Sequence, residues 1–323
     1  MKRIGVLTSG GDSPGMNAAV RAVVRTGIYY GLEVYGIERG YKGLITGDVH
    51  LLGARSVSGI INQGGTIIYT ARCKEFFEPE GRVKAAQTLK EHQIEGLVII
   101  GGDGSYRGAL ALHAEHGIRC IGLPGTIDND IGGTDYTIGY DTALNTAMEA
   151  IDRIRDTAQS HDRLFYVEVM GRHSGYLAMM SGIAGGAEDI LVPETPTDID
   201  QMIEHLRTGM KRGKRSAIIV VAEGDDAGNA YEIASKVAER SEFKDGRVTV
   251  IGHLQRGGRP SAFDRVLASR MGLRAVEALM EDETGKMVGI SGNNIVLRPL
   301  SEAWECRTLF DPKFLRVAHI LAT

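Results

Sequence analysis

The chain has 323 residues and a mass of 34.8 kDa, a length that predicts two domains of ordinary size. Its 37 basic and 41 acidic residues give a net charge of −4, so we expect neither nucleic-acid nor membrane-surface binding through bulk charge. The three cysteines are widely spaced and form no CxxC pair, which argues against a disulfide framework or a zinc site. No apolar run approaches the roughly 20 residues that span a bilayer, and the first predicted strand starts at Arg3. We therefore expect no signal peptide and a cytoplasmic location.

Glycine is unusually frequent in this chain. It accounts for 43 of 323 residues, about twice the usual ~7%, and several glycines occur as adjacent pairs. Paired glycines suit loops that wrap around anionic ligands, and they also suit tight connections between strands and helices.

Strands and helices alternate along the first half of the chain. The predicted strands are 3–8, 32–37, 66–69, 97–100 and 118–123. The predicted helices are 16–30, 56–62, 83–92 and 106–115.

The second half repeats the alternation. Its predicted helices are 142–157, 175–183, 199–210, 231–240, 263–280 and 314–321, and its predicted strands are 165–169, 190–192, 217–222, 248–251, 287–290 and 294–297. Such alternation predicts an α/β fold of mostly parallel sheets with helices on both faces. Composition alone marks no domain boundary.

Two glycine-rich turns follow predicted strands, Gly-Gly-Asp-Ser-Pro-Gly at 10–15 and Gly-Gly-Asp-Gly-Ser at 101–105. Each precedes a predicted helix, whose amino-terminal N–H groups favour a phosphate. Neither turn is a P-loop or a GxGxxG dinucleotide fingerprint. Asp103, at the end of a strand, is suited to hold Mg²⁺ beside phosphates.

A third turn, Pro-Gly-Thr-Ile-Asp-Asn-Asp at 124–130, follows the strand 118–123. It brings two carboxylates, a hydroxyl and an amide to a strand's carboxyl end, where open α/β sheets bind ligands. The same composition is typical of a plain turn, because Gly, Asp and Asn are common turn residues.

Four arginines lie beside predicted strands of the second half, namely Arg163, Arg172, Arg247 and Arg256. Arginine binds phosphate through planar, charge-assisted hydrogen bonds, although any one of these four is also compatible with a solvated surface position. His253 precedes Arg256 in His-Leu-Gln-Arg-Gly-Gly. This strand-end placement favours a site over a structural histidine.

Five ordered motifs together resemble the bacterial ATP-dependent phosphofructokinases. They are Gly-Gly-Asp-Ser-Pro-Gly-Met-Asn at 10–17, Gly-Gly-Asp-Gly-Ser at 101–105, Pro-Gly-Thr-Ile-Asp-Asn-Asp at 124–130, Met-Gly-Arg at 170–172 and Gly-His-Leu-Gln-Arg-Gly-Gly at 252–258. The similarity runs from residue 1 to about residue 292 and weakens in the tail.

This resemblance implies two doubly wound, mostly parallel α/β domains with the active site between them. Residues 1–138 plus 252–304 would bind ATP and Mg²⁺, and residues 139–251 plus 305–323 would bind the sugar phosphate. The implied reaction transfers the ATP γ-phosphate to the 1-hydroxyl of fructose 6-phosphate, the committed step of glycolysis. Members of the family are typically homotetramers.

The resemblance also implies roles for individual residues. Asp128 would be the general base, Asp130 and Thr126 would orient substrate and phosphates, Arg172 would stabilise the transferred group, and the Gly11 backbone would contact the terminal phosphate. The implied ATP-site residues are Gly11, Arg72, Cys73, Arg82, Gly102, Asp103, Gly104 and Ser105, with Asp103 as the Mg²⁺ ligand. The implied sugar-phosphate residues are Thr126, Ile127, Asp128, Arg163, Met170, Gly171, Arg172, Glu223, Arg247, His253, Leu254, Gln255 and Arg256. Of these, Arg163 and Arg247 would come from a neighbouring subunit.

The phosphate donor is predicted from two glycines. Pyrophosphate-dependent relatives carry Asp at the position of Gly104 and Lys at that of Gly125. An Asp side chain would fill the space of the α-phosphate and repel it, whereas glycine leaves that space open. We therefore expect ATP.

An effector site for ADP and phosphoenolpyruvate is also implied. Its matching positions are Arg21, Arg25, Arg55, Arg155, Gly186, Glu188, Arg212, Lys214 and Ser216. Arg21 and Arg25 share one helix face, which is equally typical of a solvated basic surface. Ala54, Gly59 and Ser216 depart from the usual pattern, so the strength and sign of the response are open. Tyr176 stands where Asp is usual, and the sequence explains nothing about that change.

Three other functions are compatible with parts of the sequence. A pyrophosphate-dependent enzyme differs in the donor alone. NAD and lipid kinases share the Gly-Gly-Asp-Gly turn, but the Arg172 and 252–258 elements argue against them. A sensor without turnover would be free to lose catalytic residues, yet Asp103, Thr126, Asp128, Asp130 and Arg172 are all present.

Overall fold

The structure, a computed structural model, describes residues 1–161, 163–306 and 313–321. The chain divides into two compact units. As far as these ranges are described, the first unit comprises Met1–Ile127, Ile131–Thr142 and Arg256–Thr308, and the second comprises Asp128–Asp130, Ala143–Gln255 and Leu309–Thr323. The domain boundaries given above stay a prediction.

The strands and helices are numbered in chain order. The strands are β1 (Arg3–Ser9), β2 (Glu33–Ile37), β3 (Val49–Leu52), β4 (Gly96–Gly101), β5 (Arg119–Pro124), β6 (Leu164–Val169), β7 (Asp189–Leu191), β8 (Ala217–Ala222), β9 (Arg247–Val250), β10 (Lys286–Ser291) and β11 (Asn294–Pro299). The helices are α1 (Met16–Tyr29), α2 (Tyr41–Thr46), α3 (Pro79–Glu91), α4 (Asp103–His116), α5 (Tyr140–His161), α6 (Tyr176–Ala184), α7 (Ile199–Lys211), α8 (Ala230–Arg240), α9 (Ala262–Met280), α10 (Glu302–Glu305) and α11 (Lys313–Leu321). Two short 3₁₀ helices span Glu75–Phe77 and Gly252–Arg256.

The first unit is built on a seven-stranded sheet in the order β11-β10-β5-β4-β1-β2-β3. Its central strand β4 reads Gly-Leu-Val-Ile-Ile-Gly and is buried throughout, as expected for a parallel strand covered on both faces. Helices α1 and α9 supply apolar side chains such as Val23 and Met271 to one core. A second core contains Leu89 and Leu112, from α3 and α4.

The second unit holds a four-stranded, fully parallel sheet in the order β7-β8-β6-β9. Its strand β8, Ala-Ile-Ile-Val-Val-Ala, is buried at every position. Helices α7 and α8 pack their apolar stripes on this sheet, through Ile203 and Val237 for example. Both helices have side-chain caps at the amino terminus, Asp198 for α7 and an Asn229–Glu232 capping box for α8.

The prediction of an α/β fold with mostly parallel sheets is confirmed. Among the described residues, all strand pairs are parallel except the two at the edges of the larger sheet, β2–β3 and β10–β11. In the described ranges no helix is long and apolar enough to cross a membrane.

Two predicted elements are wrong. The structure has turns where a helix was predicted at 56–62 and a strand at 66–69. Gly59, Gly65 and Tyr69 have positive φ angles of 71°, 66° and 53°, which neither a helix nor a strand accommodates. The spacing of apolar residues is therefore not sufficient to predict secondary structure in this stretch.

Side-chain hydrogen bonds hold this irregular stretch in place. The fully buried Asn17 donates through Nδ2 to the carbonyls of Gln63 (3.2 Å) and Gly64 (3.0 Å), and its Oδ1 accepts from the Ile67 amide (2.7 Å). These bonds satisfy backbone groups that a sheet or helix would otherwise have to satisfy.

Neither helix α2 nor edge strand β3, which precede this stretch, is predicted from the sequence. Only Leu52 of the four β3 residues is buried, so the strand shows no alternation of apolar and polar residues.

Candidate active site

In the first unit, three strands end side by side at one edge of the sheet. The register pairs Ser9 of β1 with Gly101 of β4, and Gly101 with Pro124 of β5. The strand order reverses between β1 and β4, so the loops that follow them lie at a topological switch point, where open α/β sheets bind ligands. The three polar turns found in the sequence are the loops at this edge.

The loop after β1 contacts Arg256. The Nη1 of Arg256 donates to the Asp12 carbonyl at 3.1 Å. A Cβ placed on Gly11 would lie 2.8 Å from the same Nη1, so the guanidinium covers Gly11. A residue predicted for the sugar phosphate and one predicted for the terminal phosphate of ATP thus lie together.

The loop after β4 leads directly into α4, which begins at Asp103, three residues earlier than predicted. The Ser105 hydroxyl donates to the Ser9 carbonyl at 3.2 Å and ties this turn to β1. Asp103 Oδ1 accepts from the Gly104 amide at 2.7 Å, and a Cβ on Gly104 would meet no atom within 4 Å. The amino terminus of α4 therefore has open space beside a carboxylate, an arrangement suited to a phosphate and its metal.

The remaining residues predicted for ATP have different surroundings. Arg72 is exposed and Cys73 is half-buried. Arg82 forms an ion pair with Glu115 (Nε–Oε2 2.6 Å) and donates to the Phe77 carbonyl at 2.6 Å. The Glu115 carboxylate raises the pKa of Arg82 above its usual value. Contacts of these three side chains with a nucleotide stay a prediction.

The loop after β5 begins with a tightly packed glycine. A Cβ on Gly125 would lie 3.0 Å from Ile100 Cγ2 and 3.1 Å from Met16 Cε, so a larger residue would have to displace core side chains. The Thr126 carbonyl accepts from the Thr137 hydroxyl at 2.7 Å, and Ile127 is buried. The backbone of the predicted catalytic loop is thus fixed by packing and by a side chain from 11 residues downstream.

In the second unit, the predicted base is buried beside an arginine. Asp128 is 3% exposed, and its Oδ2 lies 3.8 Å from Arg172 Nε. Ser174, absent from the predicted site, donates its hydroxyl to the Asp128 carbonyl at 2.8 Å. Asn129 and Arg172 have positive φ angles of 50° and 52°, a strained conformation for non-glycine residues that is concentrated at functional sites. Asp130 is half-buried.

Two side chains from the predicted sugar site hold the backbone that follows β6. Glu223 Oε2 accepts from the amides of Gly171 (3.3 Å) and Arg172 (3.4 Å). Gln255, fully buried, accepts through Oε1 from the Met170 amide at 2.8 Å. Both side chains therefore fix the backbone that presents Arg172. His253 and Leu254, which precede Gln255 and are also predicted for the sugar phosphate, are exposed.

Two predicted sugar-phosphate residues lie at the other end of the same sheet. Arg163 directly precedes β6, and Arg247 is the first residue of β9, opposite Phe165. Residues 164–169 separate Arg163 from Met170, and a strand of that length spans roughly 20 Å. Within one copy of this unit, Arg163 and Arg247 are therefore remote from Met170 and Glu223.

The predicted effector residues fall in both units. Arg21, Arg25 and Arg55 belong to the first, and burial and the Arg25 charge lower the pKa of Arg21. In the second, Arg155 donates to the carbonyls of Gly185 and Gly186.

A cavity of about 230 Å³ opens in the second unit. Among the predicted effector residues, Glu188, Arg212, Lys214 and Ser216 line it. Lys214 Nζ lies 3.8 Å from Glu188 Oε1. The wall also includes His205, which the sequence analysis did not single out.

The structure explains how the chain tolerates Tyr176. Tyr176 is the first residue of α6, a position where the positive end of the helix dipole stabilises a carboxylate. The carboxylate of Glu194 lies at this terminus instead, and its Oε1 accepts from the Gly175 amide at 2.7 Å. Burial raises the pKa of Glu194. A local sequence motif gives no sign of this contact, because Glu194 is 19 residues away.

Glycine loops at strand ends and a carboxylate beside an arginine are the parts that phosphoryl transfer needs, since its catalysis is mostly positioning and charge neutralisation. The chain is in this sense an α/β phosphotransferase. The phosphofructokinase family model matches residues 3–279, and the chain belongs to that family. The resemblance drawn from the sequence is confirmed, and so is the prediction that the chain is an enzyme.

Curated relatives and solved structures agree with this assignment. The chain is 59% identical over 311 residues to the ATP-dependent 6-phosphofructokinase of Bacillus cytotoxicus, covering 96% of each sequence. It matches the phosphofructokinase structure from Saccharomyces cerevisiae with a TM-score of 0.90 and 39% identity, spanning all of this chain but 48% of the yeast chain. A pyrophosphate-dependent phosphofructokinase from Marinobacter aquaeolei matches with a TM-score of 0.86 at 22% identity over 100% of this chain and 91% of that one, a likeness of fold alone.

Proposed function

We propose that the protein is an ATP-dependent 6-phosphofructokinase that transfers the ATP γ-phosphate to the 1-hydroxyl of fructose 6-phosphate. The products are fructose 1,6-bisphosphate and ADP. One observation carries the proposal, the buried Asp128 carboxylate with Arg172 Nε at 3.8 Å, in a family of known chemistry.

Asp128 acts as the general base. It takes the proton of the 1-hydroxyl while the hydroxyl oxygen attacks the γ-phosphorus and ADP leaves. Arg172 neutralises charge that develops on the transferred group, and its backbone has a positive φ angle with the amide bonded to Glu223. Thr126 and Asp130 orient substrate and phosphates. The Gly11 backbone meets the terminal phosphate, and Arg256 above it binds the sugar phosphate.

ATP rather than pyrophosphate is the donor in this proposal. The open space at Gly104 supports it, because an α-phosphate needs that volume and an Asp there would fill it. Gly125 supports ATP less directly. A Cβ on Gly125 would lie 3.0 Å from Ile100 Cγ2, so close packing is by itself a reason for glycine at this position.

The ATP-dependent reaction implies a divalent cation, and Asp103 is the residue that would hold Mg²⁺. The described residues contain no cluster of three or more metal-ligating side chains. A single carboxylate is what Mg²⁺ uses when substrate phosphates and water complete its shell. When bound, the ion would neutralise phosphate charge; Asp103 would hold it, while the amino terminus of α4 favours the phosphates beside it.

The sugar-phosphate site needs a second copy of the chain. Arg163 and Arg247 lie at the opposite end of β6 from Met170, roughly 20 Å away. They can serve a site only by entering that of a neighbouring subunit, which supports a homotetramer of the kind typical of the family.

The proposal includes regulation of the enzyme by ADP and phosphoenolpyruvate. The cavity lined by Arg212 and Lys214 supports it, because two cations suit a phosphate or carboxylate. We further propose a cytoplasmic location, in keeping with a glycolytic role.

A coupled assay tests these assignments. Purified protein is supplied with fructose 6-phosphate and Mg²⁺, with ATP or pyrophosphate as donor, and with or without ADP and phosphoenolpyruvate. We expect ATP-dependent turnover and a shift of the fructose 6-phosphate saturation curve by the effectors. Turnover with pyrophosphate alone would refute the donor, and no turnover with either donor would refute the function.

A further inference from the structure

Asp264, a buried carboxylate outside the predicted site, caps another helix. It belongs to the first turn of α9 and is fully buried. Its Oδ1 accepts from the Gly139 amide at 2.8 Å, and its Oδ2 accepts from the amide (2.8 Å) and the hydroxyl (2.5 Å) of Thr142. These donors lie at the amino terminus of α5, so Asp264 caps that helix across more than 120 residues of sequence.

The segment that Asp264 holds leads back to the strand-end loops. Directly before Gly139, the Ile138 amide donates to the Pro124 carbonyl at 2.7 Å, and the Ile138 carbonyl accepts from the Ser13 hydroxyl at 2.8 Å. Thr137 then donates to the Thr126 carbonyl at 2.7 Å. Residues 137–139 thus contact both the loop after β1 and the loop after β5.

Stability alone does not account for this choice of residue. A buried carboxylate is costly to desolvate, and burial raises the pKa of Asp264 to about 6. An exposed cap on α5 itself would satisfy the same amides more cheaply. What only the buried Asp264 supplies is a fixed link from α9 to residues 137–139.

We propose that Asp264 is a positioning residue for phosphoryl transfer, acting through residues 137–139 to hold Thr126 and the Ser13 loop in their reactive places. It contacts no reacting atom. The proposal rests on the proposed function for its kinetic readout, and a second readout, hydrogen exchange, is independent of activity.

The kinetic test compares Asp264→Asn, which keeps the size but places an NH₂ against amide donors, with Thr137→Val, which removes the bond to Thr126. Each should lower kcat about 10-fold and change KM for ATP and for fructose 6-phosphate less than about 2-fold, because small displacements of reacting groups cost rate. The double variant should lose little more than the larger single loss, since both act on one link. Fully additive losses, or a kcat within about 2-fold of wild type in Asp264→Asn, would overturn the proposal.

A matched control is Thr134→Val. Thr134 is a buried threonine in the same unit, bonded to the Tyr136 carbonyl and the Ile290 amide. An equal loss of kcat in this control would assign the effect to general destabilisation and refute the link.

Hydrogen exchange gives the second readout. In Asp264→Asn, peptides covering 124–127 and 137–139 should exchange faster, while those of β4 remain as in wild type. Unchanged exchange in 124–127 would refute the link whatever the enzyme's activity. An enzyme inactive towards fructose 6-phosphate that still shows the exchange change would count against the proposed function and not against the link.

Discussion

Arg256 lies directly over Gly11, with its Nη1 2.8 Å from where a Cβ on that glycine would be. The arginine is held there by the Asp12 carbonyl. Any side chain at position 11 must therefore displace the group proposed to bind the sugar phosphate. The position of Arg256 and the conformation of the loop after β1 therefore depend on each other.

The first prediction concerns Gly11→Ala. The added methyl group should push Arg256 aside, so steady-state kinetics should show KM for fructose 6-phosphate raised about 10-fold, along with a lower kcat, as expected when a charge-assisted contact is lost. Gly53→Ala is the control, because a Cβ there meets no atom within 4 Å. If Gly11→Ala left KM for the sugar phosphate unchanged, Arg256 would not be its ligand.

The second prediction concerns Asp128→Asn. Loss of the general base should lower kcat by about 10²–10⁴-fold with KM little changed, because the carboxylate acts on the proton in the transition state. Stopped-time product assays measure this over the whole range. Asp200→Asn, an exposed acid of the same unit, should behave as wild type. A near-normal kcat in Asp128→Asn would remove the residue from its proposed role.

The third prediction concerns the donor. Gly104→Asp places a carboxylate in the open space at the amino terminus of α4, so KM for ATP should rise at least about 10-fold through repulsion of the α-phosphate. Gly104→Asn, of nearly equal size and no charge, separates repulsion from bulk. An equal rise of KM for ATP in Gly104→Asn and Gly104→Asp would contradict charge repulsion and leave side-chain bulk as the cause.

The fourth prediction concerns pH and Asp264. Its pKa is raised to about 6, chiefly by burial and against the hydrogen bonds from Thr142 and Gly139, so folding takes up a proton between the unfolded value of about 3.9 and 6. The carboxyl group's contribution is complete below about pH 4 and is lost as pH rises through 6. At one pKa unit per 1.36 kcal/mol, the wild type should lose about 2–3 kcal/mol relative to Asp264→Asn between pH 4 and 7. Thermal melts of both proteins across that range measure the difference, and parallel curves would contradict it.

Much of the fold was readable from the sequence for a physical reason. Strands buried on both faces, such as β4 and β8, are continuous apolar runs, and the loops after β1, β4 and β5 carry their glycines and carboxylates within a few residues. The turns at 56–69 were not readable, since Asn17, nearly fifty residues earlier, holds their backbone. The Arg256–Asp12 contact spans 244 residues. Distant side chains that fix a loop leave no local periodicity.

The last prediction concerns the cavity in the second unit. His205 Nδ1 lies 3.1 Å from Asp189 Oδ2, and this hydrogen bond raises the pKa of His205 above its usual value. Glu188, Arg212 and Lys214 are the other charged groups on the described part of the cavity wall. Protonation of His205 adds a third cation to this cavity.

Binding of an anionic effector in this cavity should therefore tighten as pH falls through the pKa of His205. The Kd for ADP, measured by calorimetry at several pH values, should depend on pH in the wild type and lose most of that dependence in His205→Gln. Asp189→Asn should keep the dependence but shift its midpoint to lower pH, because the group that raises the pKa is gone. Tightening at low pH that survives in His205→Gln would contradict the role of His205, because protonation of the ligand's own phosphate, whose second pKa is near 6, removes negative charge and weakens binding.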